Sequence, residues 1–355
     1  MKIGIFTGRL LNPMHPRIVS QIEFFEKNGI AFEIFSPVTN KFFSRINWFS
    51  LYFFDLWSVH KYRNKLEAFD LIFIHDLKYL PLAVHAKKLK KKVVYETLDN
   101  NVALREYQLL NRLPFLKIFK KSITDSFIKK EKMIAFNYCD NIIVNSKALL
   151  KYFKNRAELI YYSSSFEDIQ FINNVKLKPA LLYLGEFSYD KGADEVLALQ
   201  KSLDAELFIF GTVRDKKYKE TILNNRLISH SERINHTELI KKIEALSGKY
   251  FLTGLSFIKP VHLSYATQEA NKDIDYLSMG IPIIGNHREP TAEKILAACG
   301  IFAENETGLK RLMEDEAFRN EISVNCRNYY SENYSHKHFT TGMEKIFSQH
   351  TGNRE

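Results

Sequence analysis

Short apolar runs recur along the chain, and each closes on a small or polar residue. In the first half they are KIGIFTG (2–8), FEIFSP (32–37), DLIFIHD (70–76), KVVYET (92–97) and NIIVNS (141–146). In the second half they are ALLYLGE (180–186), ELFIFGT (206–212), KYFLTGL (249–255) and IPIIGN (281–286). The runs are rich in β-branched and aromatic residues and do not alternate with polar ones, as expected of strands covered on both faces in a parallel sheet. Between them lie segments with helical spacing. In RIVSQIEFFEKNG (17–29), Ile18, Ile22 and Phe25 fall on one face and Gly29 closes the helix. GADEVLALQKSL (192–203) has a similar character, and 269–279 reads as a third helix.

Strand and helix therefore alternate twice over, which predicts an α/β protein of two Rossmann-like, doubly wound domains facing each other across a cleft. The first is expected over 1–165 and the second over 178–334. The polar, Asn-rich stretch 163–179 forms the junction, and a final helix at about 335–350 packs back on the first domain. In such sheets ligands bind beyond the carboxyl ends of the strands. Those ends supply Thr7-Gly8-Arg9, His75-Asp76 and Glu96-Thr97 in the first half, and Gly185-Glu186, Gly211-Thr212, Gly254 and Gly285-Asn286 in the second. Glycines where backbone must approach a phosphate, set against ionisable groups, predict a nucleotide cradle in the second domain and an acceptor site in the first.

Charge adds a question about partners. The chain has 355 residues, a formal net charge of +10 and three cysteines. Much of the excess lies in KKLKKK (87–92) and LKIFKKSITDSFIKKEK (116–132). Phosphorylated ligands, anionic membranes and nucleic acid all attract such charge, as does water on a plain solvated face. The apolar window INWFSLYFFDLWSV (46–59) carries Asp55 and is shorter than the roughly 20 residues of a membrane span. Cations Lys41, Arg45, Lys61 and Arg63 flank it, so 41–63 and 113–133 read either as membrane-surface contacts or as core. Cys139, Cys299 and Cys326 are widely separated, and no signal peptide is evident, which together predict a cytoplasmic protein.

Two stretches carry candidate chemistry. In LLYLGEFSYDKGADEVL (181–197), a strand, a loop with Lys191 and a helix start would seat a diphosphate on backbone amides. The alternative is an ordinary loop with a surface lysine. In NKDIDYLSMGIPIIGN (271–286), Lys272, Asp275 and Tyr276 share a helix face, Gly280 stops the helix and Pro282 forbids its continuation. Asp275 is suited to accepting ribose hydroxyls, and Lys272 to meeting a phosphate or Asp275 itself. No G-x-G-x-x-G, Walker, G-x-S-x-G or H-E-x-x-H motif occurs. Asp273-Ile274-Asp275 sits on a helix, and His230 and His236 have no cysteine partner, so neither makes a metal site.

The run Asn271-Lys272-x-x-Asp275-Tyr276-Leu277-Ser278-x-Gly280-x-Pro282-Ile283-Ile284 resembles the P-x-K-x-x-E-Y-x-A-x-G-x-P-V-V segment of GT-B glycosyltransferases, nearest to glycosyltransferase family 4. LLYLGEFSYDKG is similar to that family's Y-x-G-R-x-x-x-x-K-G segment. PMHPRIVSQIEFFEKNGIAFEIFSP (13–37) is similar to its opening, and HDLKYLPLA (75–83) to its H-D-x-x-x-L-P segment. Residues 299–339 resemble its C-terminal end. The matches keep family order over about nine-tenths of the chain.

The resemblance implies a retaining, metal-independent glycosyltransferase with no cofactor beyond a UDP- or GDP-sugar substrate. Its acceptor would be a glycan or lipid-linked glycan in cell-surface polysaccharide synthesis. It places Gly185, Glu186, Lys191, Gly211, Thr212, Thr267, Glu269, Lys272 and Asp275 on the donor, with His262–Glu269 meeting the sugar. Lys191 and Asp275, with His75 and Asp76, form the catalytic set, and Arg9, His15, Arg17, Glu96 and Asp99 the acceptor side. Three positions depart from the pattern. Thr267 stands where the family has a glutamate, Glu186 where it has an arginine (with Lys272, Arg288 or Arg9 as stand-ins), and Leu98 where it has a histidine. An NDP-sugar epimerase or hydrolase on the same fold is the alternative enzyme. A non-catalytic basic module is the alternative of another class, although no nucleic-acid motif supports a nucleic-acid partner.

Overall fold

The structure is a computed structural model that describes residues 1–8, 16–36, 54–169, 173–232, 234–261, 270–287 and 290–351. The chain forms two compact units. Among the described residues, Met1–Tyr161 and the C-terminal stretch from Phe339 make the first, and Tyr162–Val261 with the chain from Ala270 to His338 the second.

In the first unit, strands β1 (Lys2–Thr7), β2 (Ala31–Phe35), β3 (Leu71–His75), β4 (Lys92–Thr97), β5 (Asn141–Val144) and β6 (Glu158–Leu159) form one parallel sheet in the order β2-β1-β3-β4-β5-β6. Successive residues of β3 go to opposite cores. Ile72 and Ile74 join Val93, Tyr95 and Ile142 under helices α2 (Leu56–Tyr62), α3 (Leu82–Lys88), α4 (Asn101–Arg112), α5 (Lys120–Tyr138) and α6 (Lys147–Tyr152). Leu71 and Phe73 join Ile3, Ile5 and Val94 on the other face, against Phe24 and Phe25 of α1 (Pro16–Lys27). Phe339, Met343, Ile346 and Phe347 complete that second core. Two buried faces explain why the strands read as unbroken apolar runs.

The second unit holds β7 (Pro179–Leu184), β8 (Leu207–Phe210), β9 (Ile228–Ser231), β10 (Phe251–Ser256), β11 (Ile283–Gly285) and β12 (Gly300–Phe302), all parallel, in the order β12-β11-β10-β7-β8-β9. Helices α7 (Ala193–Leu203), α8 (Lys216–Leu223), α9 (His236–Ser247), α10 (Asn271–Ser278), α11 (Pro290–Cys299), α12 (Glu306–Glu314) and α13 (Glu316–Asn333) belong to it, and α14 (His336–Thr351) leads the chain into the first unit. Strands β6, β9 and β12 carry no sequence signal. The first has two residues, β9 (ISHS) is a half-buried edge strand, and β12 has three residues.

The stop after α10 is a Schellman turn. Gly280 has φ +66°, its amide donates to the Leu277 carbonyl, and the Ile281 amide donates to that of Tyr276. A side chain at 280 would also meet Arg327 at 2.5 Å. Strand order reverses at β1/β3 in the first unit and at β7/β10 in the second, the position at which open α/β sheets place their ligands.

Candidate functional site

At the carboxyl end of β7, three segments of the second unit meet. Tyr276 of α10 is buried against the sheet, where its hydroxyl donates to the Leu182 carbonyl and accepts from the Leu184 amide, both at 3.0 Å. Its ring lies over Gly254, where a Cβ would fall 2.5 Å away. One turn earlier on α10, Lys272 Nζ sits 4.1 Å from the centre of the Tyr183 ring. The Tyr183 hydroxyl in turn donates to the Glu186 and Lys191 carbonyls at 2.8 and 3.3 Å. Tyr183 thereby ties Lys272, Glu186 and the Lys191 turn together.

Not every strand-end glycine there is shaped for a ligand. Gly211 (φ +155°) is required because a Cβ would lie 1.8 Å from the Gly185 carbonyl oxygen. Gly185 differs. It has φ +106°, and a Cβ there would meet nothing within 4 Å. Beside that opening, Phe187 bridges Val213, the Thr212 carbonyl accepts from the Phe187 amide at 2.9 Å, and Arg214 pairs with Glu186 at 3.3 Å. Arg214 is a cation beside Glu186 that no sequence pattern marks.

The start of α7 does not provide the amide seat that its sequence suggests. The Gly192 and Ala193 amides donate to the Tyr189 and Ser188 carbonyls. Asp194 and Glu195 occupy the first turn, held by Lys259 at 2.6 and 3.5 Å. Two carboxylates already take the helix's positive end.

Asp275 is the most unusual group in this unit. Its Oδ1 accepts from Ser164 Oγ at 2.8 Å and from the Tyr162 hydroxyl at 3.2 Å, while Ser278 donates to Ser164. Oδ2 has no hydrogen-bond donor among the described residues. Burial pushes the carboxyl up to about 7, with Asp273 adding to the rise and the Ser164 and Tyr162 hydrogen bonds opposing it. Ser164 and Tyr162 were not foreseen. Both are buried in the second unit, Tyr162 just ahead of the stretch read as the junction and Ser164 at its start.

In the first unit the expected acceptor residues gather differently. Arg17 Nε donates to Glu96 Oε1 at 2.6 Å, and Gln21 and His75 Nδ1 reach Oε2 at 2.6 and 2.9 Å. Arg17 also donates to the Tyr161 carbonyl and lies 4.7 Å from the Phe339 ring. Burial alone would raise Glu96, but Arg17 and then His75 hold it at about 2. The catalytic assignment of His75 does not suit this geometry. Nδ1 faces Glu96, and Nε2 is sealed from solvent with no hydrogen-bond partner among the described residues. A base in that position has no contact with an acceptor hydroxyl. Asp76 is nearer the surface and adopts φ +81°, ψ 144°, strained for a non-glycine residue, with Arg105 3.5 Å from Oδ2. The Asp99 carbonyl accepts from Thr97 at 2.8 Å. Arg9, His15, Trp48, Phe53, Thr267, Glu269 and Arg288 lie outside the described residues. Among the described residues no three His, Cys, Asp or Glu side chains gather as metal ligands, and no helix is long and apolar enough to cross a membrane.

No protein-family model and no curated protein matches the chain. Solved structures do. Anabaena HepE, crystallised with UDP and glucose, superposes with a TM-score of 0.65 at 12% identity, over 98% of this chain and 100% of that one. An α,α-trehalose-phosphate synthase (UDP-forming) from Burkholderia xenovorans, in complex with glucose-6-phosphate, gives 0.61 at 9% identity over 99% and 100%. AviGT4, a glycosyltransferase of avilamycin A biosynthesis, gives 0.58 at 12% identity over 99% and 97%. The chain has the GT-B fold. The likeness spans both sheets.

Proposed function

We propose that this GT-B chain transfers a sugar from a nucleoside diphosphate sugar to a glycan or lipid-linked glycan acceptor, with the nucleotide seated at the carboxyl end of β7. The observation that carries the reading is Asp275. Its half-used carboxylate stands on α10 next to Tyr276, whose hydroxyl accepts from the Leu184 amide just ahead of the open space at Gly185. Oδ2 is free to accept a ribose hydroxyl. Lys191, Lys272 and Arg214 supply positive charge for the diphosphate as the glycosidic bond loosens and negative charge develops on the leaving group. Fixed cations do this without reorganisation at the moment of reaction.

UDP is the first nucleotide to try and GDP the second, because HepE was crystallised with UDP and UDP-glucose. Retention of anomeric configuration and membership of glycosyltransferase family 4 belong to this reading on the strength of the sequence resemblance. So does a role in cell-surface polysaccharide synthesis, in the cytoplasm against the inner face of the membrane. Asp76, surface-near and conformationally strained, is the better candidate than His75 for meeting an acceptor.

A thermal-shift panel of UDP, GDP, ADP, CMP and their sugars tests the reading, since a ligand that binds the folded state raises its melting temperature by mass action. UDP and a UDP-sugar are expected to give the largest shifts. A flat panel would rule the donor site out. Sugar release at equal rates with and without acceptor would make the protein a nucleotide-sugar hydrolase instead.

A further inference from the structure

The 3-10 turn Pro114–Phe119, between α4 and α5, is split by burial. Leu113 is buried and Leu116 packs on the core of the first unit, rooting the turn. Phe115, Ile118 and Phe119 point outward with 63, 87 and 57% of their surface exposed. Residues three apart eclipse in a 3-10 turn, so Phe115 and Ile118 stand on one side. Other large exposed apolar side chains, such as Leu223 and Val324, are scattered along the chain, whereas these three fall within five residues. Isolated exposed apolar residues need no explanation, but a cluster does.

Cations surround the cluster. Lys117, Lys120 and Lys121 are exposed in the same stretch, and Lys129 and Lys130 are exposed two turns further along α5. The acids between Pro114 and Lys132 are Asp125 and Glu131, and Glu131 is buried under the Tyr95 and Tyr152 hydroxyls. Lys120 also reaches Glu106 at 3.1 Å while keeping 63% of its side chain exposed. A second apolar point reaches the same helix. Phe54 packs on Phe127 of α5 with ring centres 5.9 Å apart, and the residues after it, Leu56 and Trp57, are 49 and 41% exposed.

We infer that the Pro114–Phe119 turn is an interfacial anchor that inserts its apolar tip into an anionic lipid bilayer, with the lysines of the turn and of α5 at headgroup level. Three projecting side chains offer far less than the roughly 1,000 Å² that a stable protein interface requires. An apolar tip within a collar of lysines instead matches the acyl and phosphate layers of a bilayer surface, where lysine stems lie along apolar groups and their heads reach the phosphates. This deepens the proposed function by naming the surface at which a lipid-linked acceptor would be met, yet vesicle binding needs neither donor nor acceptor. Its failure and the failure of the donor reading are thus separable.

The test is sedimentation of the full chain with vesicles of phosphatidylcholine, alone or with one-third phosphatidylglycerol, at low and high salt. The wild type is expected to pellet with the anionic vesicles and to come off as salt rises. Replacing Phe115, Ile118 and Phe119 together with serine should weaken partitioning roughly tenfold or more. Exchanging Lys117, Lys120 and Lys121 for glutamine should cost roughly fivefold per lysine on anionic vesicles and little on neutral ones. Both variants should keep the wild-type melting temperature, because the side chains removed are exposed. Wild-type protein that stays in the supernatant, or variants that pellet like it, would overturn the anchor. So would a triple-serine variant that turns a wild-type dimer into a monomer in sedimentation velocity while vesicle binding is unchanged.

Discussion

The strand ends of the two units already differ in sequence, and they differ in space in another way. At the carboxyl ends of the first sheet, Arg17, Glu96, His75 and Gln21 are locked together in the interior, with Glu96 exposed by only 1%. In the second unit, Gly185 opens onto empty space and Asp275 keeps one oxygen unbonded among the described residues. A buried carboxylate is a structural tie when both of its oxygens are bonded, and a candidate site when one is left over. By that criterion Glu96 holds its own unit together, even with His75 Nε2 unpartnered among the described residues, and Asp275 is the candidate seat for a polar ligand.

The sharpest way to break the comparison is to cut the buried cluster. Arg17→Met strips the buried Glu96 carboxylate of its guanidinium partner, leaving only Gln21 and His75 on it, and is expected to destabilise the fold by about 3–5 kcal/mol, read as a large drop in denaturant midpoint. Because Glu96 is depressed from 4.5 to about 2 in the folded protein, its stabilisation is complete above pH 4.5 and is lost as pH falls toward 2. The wild type should therefore lose stability over that window more steeply than Glu96→Gln. If Arg17→Met were as stable as wild type, the cluster would not be a structural tie.

In the second unit the same kind of change should spare the fold and strike the ligand. Arg214→Ala, at a side chain 74% exposed, should weaken UDP binding roughly tenfold in calorimetry, since a hydrogen bond to a charged group contributes about 1.5–3 kcal/mol. Uridine binding should be unchanged. Equal losses for UDP and uridine would remove Arg214 from the diphosphate.

Asp275 gives a smaller effect with a definite sign. Its folded value of about 7 exceeds the ordinary 3.8, so the folded state holds a proton that the unfolded chain has released, and stability declines as pH rises from about 4 through 7. Asp275→Asn, which cannot ionise, should melt several degrees above wild type at pH 8 and close to it at pH 4. An identical difference at both pH values would show that the carboxyl does not titrate in that window. The mildest change is Glu186→Gln. Releasing Arg214 from its 3.3 Å partner should tighten UDP binding by no more than about fivefold, in keeping with the small worth of exposed ion pairs.

Much of the fold could be read from the sequence, because burial on both faces turns parallel strands into apolar runs such as DLIFIHD and KVVYET, whose observed strands are Leu71–His75 and Lys92–Thr97. Edge strands of two to four residues lack that signal. The site was legible only where it is local. Lys272, Asp275, Tyr276 and Gly280 belong to one helix and its cap, and their spacing is visible. The partners of Asp275 are more than 100 residues upstream, in a stretch whose polarity imitates a linker. Arg214 pairs with Glu186 across neighbouring strand ends, a relation that only the β7–β8 register creates. Glycines misled as well. Gly211 and Gly254 are there for the Gly185 carbonyl and the Tyr276 ring, and of the three only Gly185 faces room for a ligand.

The most direct test is a calorimetric titration of UDP into wild-type protein and into Asp275→Ala, with circular dichroism confirming that both are folded. A ribose seat at Asp275 predicts measurable UDP binding to the wild type and roughly tenfold weaker binding to the variant, with uridine losing by the same factor. Equal affinity of the two folded proteins for UDP would contradict it.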